Sequence, residues 1–208
     1  MGMVRRPKKG RLRRLSVRRK MLRLRNRQKE LRHARLANLQ LDMNRLPMHE
    51  ALKPLAWLMG TWQTESTGFG KYPTIKPFTY CEEITFESVG QPMLNYTAQS
   101  WHSETKNPLH FEVGFLRIIP DTNKVCLMLS HNFGVTTIEE GVVNGTLIKL
   151  KTTSIERPTE GGKPTIVTEL QREFQLLGDS LQHKLYMATS KTPELQEHLC
   201  AKYIKKCY

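Results

Sequence analysis

From Leu52 onward the chain is a succession of short apolar or alternating runs, each stopped by turn-forming residues. "FTYCEEITFESV" ends at Gly90-Gln91-Pro92, and "MLNYTAQSWHS" ends at Lys106-Asn107-Pro108. "HFEVGFLRIIP" turns at Asp121-Thr122-Asn123 into "KVCLMLSH". "GVTTIEEGVV" meets Asn144-Gly145, the strongest two-residue hairpin signal in the sequence, ahead of "TLIKLKTTSIE" and the polar loop "RPTEGGKP". "TIVTELQREFQLL" turns at Gly178-Asp179 into "SLQHKLYMATS", and "HLCAKYIKKCY" completes the series. With an opening strand around Trp62 this makes about ten strands, spaced too closely for the crossover helices of a parallel sheet.

An antiparallel meander of that count closes on itself, because closure removes exposed edges. The expected class is all-β: a closed antiparallel up-and-down β-barrel of about ten strands, of the lipocalin or fatty-acid-binding-protein kind. Barrels of eight to ten strands enclose room for one small ligand. Only "MHEALKPLAWLMG" lacks strand character and reads as a helical turn plugging one barrel end. No run of about 18 apolar residues occurs, so no membrane helix is expected.

Charge divides the 208 residues into two parts. Residues 1–45 hold 17 Lys and Arg against Glu30 and Asp42, whereas residues 46–208 hold 16 basic and 17 acidic groups. The expected organisation is a basic N-terminal extension, 1–45, and a nearly neutral barrel domain, 46–208. The arm, partly helical over roughly 11–42 or disordered, has three readings: a solvated extension, a nuclear-localisation or phosphate-contacting segment, and a mitochondrial transit peptide. Non-specific nucleic-acid contact is thus expected only of residues 1–45. Cys81, Cys126, Cys200 and Cys207 include no CxxC pair, which argues against zinc. No apolar signal segment opens the sequence, so reduced cysteines and a cytoplasmic or nuclear address are expected, with mitochondrial import the weaker reading.

Catalytic sets are sparse. No GxSxG elbow and no HExxH occurs. Glu82-Glu83 and Glu139-Glu140 are neighbours in strands, so each pair points to opposite faces; they read as surface charge at the barrel rims. The seven histidines are scattered, and a lone histidine is more often structural than a ligand. A single histidine does suit one site, the axial position of a haem. "GTWQTESTGFGKYPTIKPF", residues 60–78, concentrates Gly60, Gly68 and Gly70, which permit unusual backbone angles or a close approach to the main chain. Pro73 fixes the chain just ahead of Thr74.

Beyond these readings, the segments "LAWLMGTW", "GKYPTIKPF", "EEITF…VGQPMLNY", "NPLHFEVGF", "PDTNKV", "EEGVVNG", "YMATS" and "EHL" occur in an order that resembles the nitrobindin family. The likeness runs from about Leu52 to Tyr208 and is strongest to the animal form, the C-terminal domain of a THAP-type zinc-finger protein. It implies a ten-stranded barrel binding one haem b per chain, with mainly ferric iron that binds nitric oxide and converts peroxynitrite to nitrate. Carried over position by position, His198 in "QEHL" matches the axial haem ligand and Thr74 in "YPT" a haem contact. His110 in "PLHFEVGF" matches a histidine near the distal side, and the glycine-rich stretch would line the pocket mouth against the macrocycle. Family members commonly read Gly-x-Trp-x-Gly-x-Gly; here "QTEST" follows Trp62 before Gly68, lengthening that loop. No cysteine precedes Cys81, so DNA recognition by a zinc finger is not carried over. Two rival readings stand beside this one: a carrier of an apolar small molecule such as a fatty acid, and an RNA-associated protein acting through the arm. Self-association into a homodimer is left open.

Overall fold

The computed structural model describes residues 21, 24–32, 47–160 and 165–206. The chain divides into two units, Met1–Leu46 and Pro47–Tyr208. Of the first, residue 21 and residues 24–32 are helical and exposed; the remaining residues of the helix expected over 11–42 lie outside the described residues.

The second unit is built of eleven strands: β1 (Gly60–Thr64), β2 (Gly68–Tyr72), β3 (Ile75–Ser88), β4 (Met93–His102), β5 (Pro108–Ile118), β6 (Lys124–His131), β7 (Val135–Asn144), β8 (Leu147–Glu156), β9 (Val167–Leu177), β10 (Ser180–Thr189) and β11 (Thr192–Lys205). Each pairs antiparallel with its sequence neighbour from β2 to β11. Two extra pairings close the ring. β1 lies between Glu83–Phe86 of β3 and Tyr203–Lys205 of β11, and β2 lies between β3 near Phe78 and β11 at Leu199 and Cys200. β1 and β2 run in one direction and share a single place, so eleven strands make a closed barrel of ten positions. The strand anticipated around Trp62 is thus two short strands. The "EST" bend divides them, held by the Glu65 N–H donating to the Lys202 carbonyl at 2.9 Å.

Burial alternates along the strands with period two, as a barrel filled by side chains demands. One end is sealed. A 3₁₀ helix, Glu50–Leu58, drives Leu52, Leu55 and Leu58 into the apolar cluster formed by Phe86, Leu94, Ile118, Val125, Ile148 and Leu181. Each of those leucines is fully buried, which stabilises the plug by about 1.5–3 kcal/mol apiece. Trp62 Nε1 donates to the Leu58 carbonyl at 2.7 Å and ties the plug to β1. Phe86, Tyr96 and Phe174 meet edge to face above it, with centroids 5.2–6.4 Å apart. Asn144 pairs with Leu147, so Gly145 (φ +59°) and Thr146 form the link between β7 and β8, one residue later than the Asn-Gly signal implied.

The opposite end is the mouth, where the β2–β3, β4–β5, β6–β7, β8–β9 and β10–β11 connections gather. There β8 and β9 pair only from Leu147 to Lys151 and then diverge. Thr152 Oγ1 bridges the divergence by accepting from the Leu170 N–H and donating to its carbonyl. Among the described residues no helix is long and apolar enough to cross a membrane, and Cys81, Cys126 and Cys200 are free thiols.

Candidate functional site

His198 occupies an irregularity of β11. Leu185 of β10 pairs with Leu199, while the next residue, Tyr186, pairs with Glu197, so His198 is the extra residue of a β-bulge. A bulge re-aims a side chain out of the normal alternation. Its imidazole is flanked by Tyr72 (centroids 5.4 Å, edge-on) and Phe78 (6.5 Å). Nδ1 lies 3.0 Å from the carbonyl of Lys71. A carbonyl only accepts, so Nδ1 carries the proton and the neutral ring presents Nε2 as a lone-pair donor. Burial lowers the His198 pKa and the Lys71 contact partly opposes this, which favours the neutral, ligating form.

Thr74 stands exposed in the turn between β2 and β3, two residues beyond Tyr72, whose ring contacts His198. The structure therefore brings Thr74 and His198 to one stretch of the rim. A Cβ on Gly68 would lie 2.4 Å from Cζ of Tyr80, and one on Gly70 would lie 2.4 Å from Cζ of Phe78. The room made by these glycines is filled by two aromatic rings, and one of them walls His198.

One pleat further in, the barrel interior is polar. Arg172 is 1% exposed and lies between Leu170 and Phe174 on β9. Its Nε donates to Glu139 Oε2 at 3.0 Å, Nη1 to Glu112 Oε2 at 3.1 Å, and Nη2 to Glu112 Oε1 at 3.2 Å and Glu139 Oε1 at 3.3 Å. Tyr96 Oη also donates to Glu112 Oε2, at 3.0 Å. The guanidinium is the main force opposing desolvation at Glu112, whose pKa is held well below the carboxylate range. Arg172 Nη1 further donates to His183 Nε2 at 3.3 Å, so His183 carries its proton on Nδ1, where it finds no partner. Burial and then Arg172 press the His183 pKa down to about 3.

Glu82 and Glu139 are therefore not the rim charges expected of them. Glu82 is 8% exposed and Glu139 fully buried, while Glu83 and Glu140 do face outward. Glu139 finds a guanidinium; Glu82 accepts from Tyr203 Oη, and burial raises its pKa to about 7.

His110 sits on β5 with its ring 28% exposed, and its Nε2 is 3.1 Å from His131 Nδ1. Phe133 packs edge-on against His110 at 4.9 Å. Burial lowers the His110 pKa to about 4, and His198 is among the groups that add to the lowering. Both rings thus belong to the mouth half of the barrel, although only Thr74 and His198 share a rim segment. A cleft of about 290 Å³ opens where β8 and β9 part, lined by Thr152, Ser154, Ile155, Ile166 and Val167; none of Thr74, His110 and His198 lines it.

The sequence reading missed Arg172, Glu112 and His131. The signal was present for two of them: Arg172 shares strand parity with Leu170 and Phe174, and Glu112 with Leu116 and Ile118.

Comparison with known proteins gives the family and the fold. The family model described as THAP4-like, heme-binding beta-barrel domain matches residues 51–205. Peroxynitrite isomerase THAP4 of Homo sapiens is 41% identical over 159 residues, which are 76% of this chain and 27% of that protein. The chain thus spans about a quarter of the human relative's length. Peroxynitrite isomerase 2 of Mycobacterium avium (strain 104) is 43% identical over 160 residues, covering 74% of this chain and 94% of that one. The crystal structure of Rv2717c from M. tuberculosis superposes with a TM-score of 0.69 at 38% identity, covering 77% of this chain and all of that one.

Proposed function

This chain belongs to the THAP4-like, heme-binding β-barrel family, and from that membership we propose that it binds one haem b at the barrel mouth, isomerises peroxynitrite to nitrate and takes up nitric oxide on ferric iron. The observation that carries the reading is His198: a bulge residue whose Nδ1–H is spent on the Lys71 carbonyl, leaving Nε2 as the donor atom. A carbonyl on the distal ring nitrogen of a ligating histidine fixes tautomer and orientation and raises its basicity.

When bound, the haem would supply a redox-active iron, which a histidine such as His198 would hold and tune. The isomerisation moves an oxygen within one anion, so it needs no external electron or proton. The chain's part is to hold and to enclose. Lys71 and the walls of Tyr72 and Phe78 keep the His198 ring in place, and Thr74 supplies a rim contact for the bound group. The hydrogen-bonded rings of His110 and His131 lie inside the same half of the barrel, with Phe133 packed against both. A sheltered pocket would keep water away from the reacting anion. The basic arm of residues 1–45 supports a phosphate-binding or nuclear-addressing role in a cytoplasmic or nuclear setting.

The test is a hemin titration of the full chain, wild type against His198→Ala, followed in the Soret region and then by nitrate yield from peroxynitrite. Saturable one-to-one binding that requires His198 is expected. An unchanged Soret band in the variant would overturn the ligand assignment. A wild type that takes up fatty acid and no hemin would replace the proposal with an apolar carrier.

A further inference from the structure

Three ligand atoms converge inside the barrel away from His198. His110 Nε2, His131 Nδ1 and Glu112 Oε1 form a near-equilateral triangle, with sides of 3.1 Å between the rings and 3.4 Å and 3.3 Å from each ring to the carboxylate. The register makes this possible: Glu112 and His131 are directly paired across β5 and β6, and His110 is on the same face of β5 two residues earlier. We propose that His110, Glu112 and His131 bind a divalent first-row transition-metal ion, such as Zn²⁺ or Fe²⁺, as a two-histidine, one-carboxylate site.

The spacing is that of ligands to one ion. Tetrahedral donors at about 2.0–2.1 Å from zinc lie about 3.3–3.4 Å from one another, so the triangle needs almost no rearrangement. Two imidazoles with one carboxylate are a borderline donor set that suits zinc and iron and is poor for calcium or magnesium.

The tautomers are set for it as well. Thr137 Oγ1 donates to Glu139 Oε1 at 3.2 Å, so its oxygen accepts from His131 Nε2 at 3.2 Å; His131 is protonated there and offers the Nδ1 lone pair to the triangle. Glu139, Thr137 and His131 thereby form the outer support that orients a ligating histidine. Glu112 keeps its second oxygen on Arg172 and Tyr96, and shares Oε1 with Arg172 Nη2 at 3.2 Å.

Without a metal, a proton on His110 Nε2 can be shared between the other two atoms. His110 can move that proton to Nδ1 on its exposed side, which frees all three donors for a cation. Glu112 and Glu139 both pair with Arg172, which holds the carboxylate of the triangle in place. An ion here adds an anion-attracting charge within the barrel, and its binding does not call on His198.

The haem-free full chain is titrated with Co²⁺, read by its visible d–d bands, and then with Zn²⁺ in competition. One equivalent is expected, with no sulfur-to-cobalt charge-transfer band. His110→Ala and His131→Ala should each weaken binding at least about 100-fold. Thr137→Val should weaken it about 10–100-fold by releasing the His131 tautomer. His198→Ala should leave it unchanged, which separates this site from haem ligation. His110 is partly exposed, so its variant is expected to keep the wild-type circular dichroism spectrum. Cobalt binding that survives His110→Ala in the folded variant, or no binding by the wild type, would overturn the site.

Discussion

Replacing Glu82 by Gln should change how stability depends on pH while leaving the folded structure as it is. Glu82 is buried among Tyr80, Ile84 and Tyr203, accepts from Tyr203 Oη, and lies 3.9 Å from the neutral His183. Burial raises its pKa from 4.5 to about 7. The folded state therefore holds this proton more tightly than the unfolded state does. The stability that follows is fully present below about 4.5, is lost as the pH rises toward 7, and stays lost above it. At 1.36 kcal/mol per pH unit over that interval, wild type should forfeit about 3 kcal/mol between pH 4.5 and 8 through this one group. Glutamine has the shape of the protonated acid and does not titrate. The haem-free variant should match wild type within about 1 kcal/mol at pH 4.5 and exceed it by about 3 kcal/mol at pH 8. Urea unfolding at several pH values, followed by tryptophan fluorescence, measures the difference and cancels groups common to both proteins. A variant-minus-wild-type difference that does not grow across this window would refute the assignment of a buried, protonated Glu82.

The two depressed histidines act in the opposite sense. His183 at about 3 and His110 at about 4 remain neutral when folded but charge when unfolded, so stability falls as the pH drops from about 6.5 toward those values. His183→Gln should flatten that acid limb in a melting series between pH 6.5 and 4. Arg172→Met should be destabilising by about 3–5 kcal/mol at pH 7, because Glu112 and Glu139 would remain buried without their cation; Arg172→Met with Glu112→Gln and Glu139→Gln should recover most of the loss in the same urea assay. Gly114→Ala would set a Cβ 1.8 Å from the backbone oxygen of Met128, which the β5–β6 ladder cannot yield. It should prevent soluble expression or cost several kcal/mol, whereas Gly68→Ala, whose nearest contact is the Tyr80 side chain and not backbone, should cost about 1–3 kcal/mol by thermal melting.

The barrel was legible because its signals are local. Turn residues punctuate the strands at Gly90, Asp121, Gly145 and Gly178, and alternation within each strand needs no partner to be read. The split of the first strand was not legible, since β1 and β2 are separated by where β3 and β11 offer hydrogen bonds. His198 was singled out by likeness and not by spacing: its bulge exists only in the register of β11 against β10, and a one-residue shift there would return it to ordinary alternation. The polar interior was half legible. Glu82 shares parity with Tyr80, Ile84 and Phe86, and Arg172 with Leu170 and Phe174, so the strands themselves put these charges inside.

What the sequence withheld was the compensation that makes such burial tolerable. Arg172 meets Glu139 across 33 residues, Glu112 across 60 and Tyr96 across 76, and no local pattern announces partners at those separations. The same non-locality explains the glycines at 68 and 70. They are small because Tyr80 and Phe78, on the neighbouring strand, need the space above them. Since Phe78 also walls the His198 ring, a gap opened for packing in one strand fixes the position of an imidazole in another.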